Sequence, residues 1–296
     1  ELDEAIDRVI AGPQKKTRIM NEHERLVTAY HEGGHALVAA AMPGTDPVQK
    51  ITILPRGRAL GYTMVMPDAD KYSQTRGELL DSMAYMMGGR AAEELIFHDP
   101  STGASNDIEK ATKVARAMVT QYGLSAAIGT VQLGSGDSEP FLGMTAGQQR
   151  DYSDVTAKIV DDEVRELLET PHQEAFDCLI ANREVLDELV RQLFRKETLG
   201  KQEVEEIFEP LKKWPERGAF TGSDRRIPSD QPPVTPPAVE GVDGDAPVTP
   251  GPRHSELPPN PGPHSPTSPG SAPQPPSGQE DPSGWEPPHD WRPPSW

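Results

Sequence analysis

The sequence predicts a mainly α-helical domain with one small β-sheet, followed by a disordered Pro-rich tail. Three observations predict it. Apolar residues recur at three- and four-residue steps through most of residues 22–208, the period of a half-buried helix. Two short runs near residues 50–66 break that period and read as strands. Of the 32 Pro in 296 residues, 22 fall after residue 220, where aliphatic residues nearly vanish. Such a stretch cannot bury enough apolar surface to offset the entropy of ordering its backbone. One folded unit over about residues 1–216 is therefore expected, with the tail over 217–296.

Residues 1–11 read as a short amphipathic helix stopped by Gly12-Pro13. Leu26, Tyr30, Leu37, Val38 and Ala41 mark a helix over Glu22 to Met42, and Met42-Pro43-Gly44 ends it. Residues 50–54 and 61–66 are β-type runs on either side of the turn-rich Pro55-Arg56-Gly57-Arg58. Helix returns over Thr75 to Phe97, with Leu79, Leu80, Met83, Met87, Ala91, Leu95 and Ile96 as its buried side. Gly88-Gly89 inside it costs about 1 kcal/mol per Gly relative to Ala; close approach to a neighbouring helix, the one bearing His31 and His35, is the expected compensation. Ser105-Asn106-Asp107 has N-cap chemistry and opens a helix that stops near Gly123. Residues 125–150 read as a short strand and a loop. Two or three long helices fill Ser153 to Phe208, the first through Leu168, the next from Phe176, and Thr198 caps a last short one.

The net charge of −18 argues against a nucleic-acid partner, because phosphate binding needs a basic surface. A single Cys178 cannot form an internal disulfide and fits a reducing setting. No run of this sequence approaches the roughly 20 apolar residues of a membrane-spanning helix, and none of it reads as a signal peptide. The chain begins at Glu1 without an initiator Met, so a piece of a longer protein is expected.

His31-Glu32-Gly33-Gly34-His35 carries the chemistry. Histidines four apart on a helix project from one face, and both can bind one Zn²⁺ at about 2.0–2.1 Å. Glu32 is turned about 100° from His31 around the helix, where it reaches water on the metal rather than the metal. This is the zincin arrangement: the metal brings the pKa of water down to about 7, and Glu takes its proton and passes it to the leaving amine. The bland alternative is two ordinary histidines on an ordinary helix. Gly33 and Gly34 speak against it, since each weakens a helix by roughly 0.8–1.0 kcal/mol and a close-packed metal site gives them a use. A third ligand is needed, and no third His stands nearby beyond His35. Asp107, at a helix start, competes with Glu93 and Glu94. Their ordinary readings are helix N-terminal electrostatics for Asp107 and a solvated face for the two glutamates. Chemistry alone leaves Asp107 and Glu93 both open.

Four blocks, Thr28-Ala29-Tyr30-His31-Glu32-Gly33-Gly34-His35-Ala36, residues 53–61 (Ile53 to Gly61), Gly88-Gly89-Arg90-Ala91-Ala92-Glu93-Glu94 and Ser101-Thr102-Gly103-Ala104-Ser105-Asn106-Asp107-Ile108, together resemble the FtsH family of ATP-dependent zinc metalloproteases in order and spacing. The resemblance runs over about residues 1–216. It implies a helical zincin-type peptidase domain over 21–216, with Zn²⁺ held by His31, His35 and Asp107, Glu32 as general base and Glu93 as a supporting residue. It also implies a homo-hexamer, unfolded or membrane proteins as substrates, and an edge strand over Ala59-Leu60-Gly61-Tyr62-Thr63 along which an extended peptide lies. Gly33 stands where the family usually has Ala. Residues 1–20 look like the end of the ATPase lid and a linker. The chain has no Gly-x-x-x-x-Gly-Lys-Ser/Thr phosphate loop, so the ATP-using module and the membrane anchor are expected only in the full-length protein, with this domain on the cytoplasmic side of the cell membrane. A silent ring-forming module is the rival reading, and the intact His31, Glu32, His35 and Asp107 argue against it.

Overall fold

The computed structural model describes residues 9, 12, 20–56, 59–67, 71–134 and 152–234. Helix α1 (Glu22–Ala41) starts at a capping box: the Asn21 side chain accepts from the Glu24 backbone at 2.7 Å, and the Glu24 carboxylate accepts from Asn21 in return. It ends where Met42 turns extended ahead of Pro43, which has no N–H to continue the ladder. Strands β1 (Val48–Thr52) and β2 (Tyr62–Val65) follow, then α2 (Arg76–Phe97), whose cap residues Thr75 and Glu78 repeat the box. After α3 (Ser105–Thr120) come α4 (Asp154–Ala181), α5 (Arg183–Lys196), β3 (Thr198–Gly200) and α6 (Lys201–Ile207). No helix among the described residues is long and apolar enough to cross a membrane.

Helix α1 is the axis of the fold. One side packs Leu37, Val38 and Ala41 into a core with Leu80, Met83 and Ala91 of α2, Met118 of α3 and Leu179 of α4. Its other side packs Ala29, Ala36 and Ala39 against Ile51 of β1, Leu199 of β3 and Leu189 and Leu193 of α5. A helix covered on two sides must be small and apolar around most of its girth, and α1 is rich in Ala and Gly for that reason. The sheet has the order β2-β1-β3, antiparallel throughout, with Ile51 opposite Thr63 on one side and Leu199 on the other. Among the described strands β2 is thus an edge.

The expected helices over 22–42 and 75–97 stand within a residue of their observed bounds, and the mainly helical fold with a small sheet is what forms. The paired glycines have the expected use. A Cβ on Gly34 would overlap the Gly88 carbonyl oxygen and lie 2.7 Å from the Ala92 Cβ; one on Gly88 would lie 2.7 Å from the Gly34 oxygen. Gly33 faces α5 instead, with Leu186 Cδ1 at 3.2 Å.

Several expectations are corrected. Thr198 opens β3 rather than capping a helix; its hydroxyl meets that of Thr52 at 2.8 Å across the sheet, and Gly200 precedes α6. Helix α4 runs unbroken through Pro171, where a break between Leu168 and Phe176 was expected. The break falls at buried Asn182, whose amide donates to the Cys178 and Lys212 carbonyls while its oxygen accepts from Lys212 N–H. Residues 125–134 hold turns and no strand. The rest of that expected strand and loop, the helix over residues 1–11 apart from residue 9, and most of the tail lie outside the described residues.

The chain divides into two units, Glu1–Pro232 and Pro233–Trp296. In the first, a C-terminal strap closes the helical core: Trp214 N–H donates to the Ala41 carbonyl, and Arg217 bonds Asp81 at 2.7 Å and both Glu174 oxygens at 2.9 and 2.5 Å. In the second, the described residues are Pro233 and Val234, outside regular structure.

Gly34→Ala gains about 1 kcal/mol of helix propensity but forces a backbone clash of the overpacking kind, which costs typically 1–3 kcal/mol or more. Its urea midpoint should fall clearly, whereas Gly33→Ala, which meets only side-chain methyls of Leu186, Leu189 and Val190 at 3.2 to 3.7 Å, should stay near wild type. Equal midpoints for Gly34→Ala and wild type would contradict the close crossing.

Candidate metal centre

Tyr85, Gly89 and Glu93 of α2 are spaced by four and line up along the histidine face of α1. The carbonyl oxygen of Tyr85 lies 2.8 Å from His35 Nδ1, and Glu93 Oε1 lies 2.7 Å from His31 Nδ1. A carbonyl only accepts, so His35 must donate from Nδ1; the Glu93 carboxylate makes the same demand of His31. Each neutral imidazole then presents a lone pair at Nε2, and these two atoms face each other at 3.1 Å. Asp107, in the first turn of α3, brings Oδ2 to 3.8 Å from His31 Nε2 and 3.6 Å from His35 Nε2. Ligands about 2.0–2.1 Å from a tetrahedral ion sit roughly 3.3 Å apart, so the observed 3.1, 3.6 and 3.8 Å bracket that edge. Gly89 keeps the space beside them clear: a Cβ there would lie 2.5 Å from His35 Nε2 and 2.7 Å from His31 Nε2.

The electrostatics ask for a cation at the same place. Burial works against a charged His31, yet the Asp107 and Glu93 carboxylates beside it and the nearby Glu32 charge outweigh it and raise its pKa to about 10. Asp107 is held well below the ordinary carboxylate range: its partial burial is overcome by His31 and His35. Glu93 is also lowered against its burial, by His31 and by the Ser101 N–H that donates to Oε2 at 2.5 Å. Three carboxylates thus surround two imidazoles. Two nitrogens and one acidic oxygen in this spacing suit a divalent ion, zinc above all.

Glu32 stands beside this cluster, 7 % exposed. Burial pushes its carboxyl above the ordinary value, and His31, His35 and the Thr63 hydroxyl offset that only in part. The Thr63 Oγ1 lies 2.9 Å from Glu32 Oε2, and a Cβ on Gly61 would come within 2.9 Å of Glu32 Cγ, so β2 approaches the glutamate closely.

The structure brings His31, Glu32, His35 and Asp107 together and separates the two rivals left open by spacing. Asp107 is on the Nε2 side of the histidines and Glu93 on the Nδ1 side of His31. The ordinary alternative for Glu93, a solvated face, does not hold, since the residue is 1 % exposed. Glu94 is turned away to Arg90 and His172, at 2.5 and 3.0 Å. The N-cap expected from Ser105-Asn106-Asp107 is also wrong: Ala104 is the cap residue, no side chain caps the helix, and Asp107 is free to face the histidines. Sequence reasoning missed Thr63 and the Tyr85 carbonyl. The period-2 pattern of residues 61–66 marks Thr63 only as a strand residue, and nothing in a sequence marks a backbone acceptor.

A helix-borne His-Glu-x-x-His motif with an acidic oxygen facing both histidines, beside the edge strand of a small sheet, defines a metallopeptidase domain. The chain belongs to peptidase family M41, which residues 18–207 match. It is 84 % identical over 264 residues to a protein of Cutibacterium acnes named ATP-dependent zinc metalloprotease FtsH, covering 89 % of this chain and 37 % of that protein. Proteins of the same name from Mycobacterium leprae and Rhodococcus erythropolis are each 50 % identical, over 82 % and 80 % of this chain and 31 % and 28 % of their own length. The chain therefore spans about a third of these relatives. The 264 residues matched in the first exceed 216, so that similarity continues into the Pro-rich tail.

Purified chain should carry one zinc by elemental analysis. Asp107→Ala should lose it, while Glu93→Ala, which removes the partner of His31 Nδ1 and the acceptor of the Ser101 N–H, should weaken zinc binding about 10–100-fold. Loss of the metal in Glu93→Ala with retention in Asp107→Ala would reverse the two roles.

Proposed function

We propose that this chain is the zinc endopeptidase domain of a membrane-anchored, ATP-dependent protease that hydrolyses peptide bonds of unfolded or membrane proteins. The observation that carries it is the convergence of His31 Nε2, His35 Nε2 and Asp107 Oδ2, with buried Glu32 beside them. These three atoms are the proposed zinc ligands and Glu32 the general base. When bound, Zn²⁺ supplies Lewis acidity, polarising the scissile carbonyl and letting water lose a proton near neutral pH. Glu32 takes that proton on its carboxylate and delivers it to the leaving amine. Burial raises its pKa, which strengthens the carboxylate as a proton acceptor. Glu93 orients His31 and the Tyr85 carbonyl orients His35, so each imidazole offers Nε2.

An extended peptide lies along the outer edge of β2, bound through its backbone, which gives affinity with little sequence preference. Residues 21–216 form the peptidase domain, residues 1–20 join it to an ATP-using module, and 217–296 are a Pro-rich tail. The assembly is a homo-hexamer at the cell membrane with this domain on the cytoplasmic side. The resemblance to the FtsH family supports this wider reading, and the names of the relatives support its ATP-dependent zinc-protease part.

Glu32→Gln should keep one zinc and lose cleavage of a short fluorogenic peptide by about 10²-fold or more, whereas His35→Ala should lose both. Near-normal cleavage by Glu32→Gln would show that another group is the base.

A further inference from the structure

Thr63 sits on β2 and reaches across to the helix that carries Glu32. Its Oγ1 is 2.9 Å from the Glu32 carbonyl oxygen and 2.9 Å from Glu32 Oε2. A hydroxyl carries one proton, so it donates to one of these oxygens at a time, and both belong to the same residue. One atom of the strand therefore spans the backbone and the carboxylate of Glu32. A glutamate side chain turns about three torsions and, released, samples many staggered rotamers. Here the two ends of that chain of torsions share one anchor. Gly61 blocks a second direction of escape, because the backbone there lies so close that an added Cβ would be 2.9 Å from Glu32 Cγ. The ladder in turn fixes Thr63, which is paired with the fully buried Ile51 of the central strand.

We infer that Thr63 is a positioning residue for the Glu32 carboxylate, tying the general base to the strand along which the peptide lies. This rests on the reading of Glu32 as the base and adds the group that holds it. A proton-transfer group must be within hydrogen-bond reach of the proton it takes, and an error of about 1 Å in such placement can cost about 10²-fold in rate. Because the anchor is on β2, the strand that sets the register of the peptide also sets the direction of the base. Thr63 has no contact with His31, His35 or Asp107 among the hydrogen bonds of the described residues, so its removal leaves the metal ligands in place.

The test uses zinc-loaded chain with Thr63→Val, which keeps the branched shape and loses the hydroxyl, and Thr63→Ser, which keeps the hydroxyl. Zinc content, steady-state cleavage of a short peptide and a crystal structure of each variant are compared with wild type and Glu32→Gln. Thr63→Val should retain full zinc and lower kcat about 10–100-fold, the worth of one hydrogen bond to a charged group. KM should stay within about twofold, and the Glu32 carboxylate should be rotated from its wild-type place. Thr63→Ser should recover kcat to within about threefold with Glu32 restored. Unchanged kcat in Thr63→Val, an unmoved Glu32 in its crystal, a rise in KM alone, or equal loss in the serine variant would each overturn the inference. If wild type and Glu32→Gln cleave alike, the base assignment fails instead, and the position of Glu32 in the Thr63→Val crystal still decides whether Thr63 holds it.

Discussion

The crossing of α1 over α2, where Gly34 meets Gly88 backbone to backbone, is the contact on which the rest depends. Side chains at that point would hold the two helices apart, and every polar contact of the site is short enough to need them close. With the crossing in place, one stripe of α2 supplies three things to one stripe of α1: the Tyr85 carbonyl for His35, an empty space at Gly89, and the Glu93 carboxylate for His31. Helical periodicity makes this economical, since residues four apart share a face on both helices.

That geometry explains why so many ionisable groups tolerate burial. An unpaired buried charge is costly, yet Glu32 and Glu93 are both nearly inaccessible. Glu93 is compensated by His31 and the Ser101 N–H, and Glu32 by Thr63 and the two imidazoles. What is left uncompensated is the set of lone pairs at the two Nε2 atoms beside Asp107. The carboxylates around His31 raise its pKa, an expression of the same demand for positive charge. A divalent ion answers the same electrostatic demand with better geometry. The sheet enters from the other side: β1 is pinned between two strands, β2 hangs on it as an edge, and Gly61 lets that edge approach Glu32.

Most of the helices and the central constellation were legible in the sequence because they are local or periodic. His31, Glu32 and His35 lie within five residues, and the helix containing them fixes their relative directions. The close use of Gly88-Gly89 was legible too, as a cost in need of compensation. The third acidic group was not legible from spacing, since Asp107 and Glu93 are both acidic and distant in sequence from the histidines; the family resemblance points to Asp107, and the fold puts Asp107 on the Nε2 side and Glu93 on the Nδ1 side. Local chemistry misled at Ser105, where cap-forming residues sit inside the first turn, and at Thr198, where pairing with Thr52 draws the residue into a strand. The apolar spacing alone does not place the boundary after α4: the helix continues through Pro171, and Asn182 makes the break by taking three bonds to its neighbours and to the C-terminal strap. Thr63 was hidden for the same reason as Asp107: its partner is on another element, and a threonine in a strand is unremarkable.

The most direct test of the account is the position of the metal itself, located by anomalous diffraction on either side of the zinc absorption edge. A single peak about 2.0–2.2 Å from His31 Nε2, His35 Nε2 and an Asp107 oxygen, with both Nδ1 atoms still on Glu93 and the Tyr85 carbonyl, is the predicted result. A peak coordinated by Glu93, or by either Nδ1, would contradict the assignment of donors on which the site, the base and the role of Thr63 all rest.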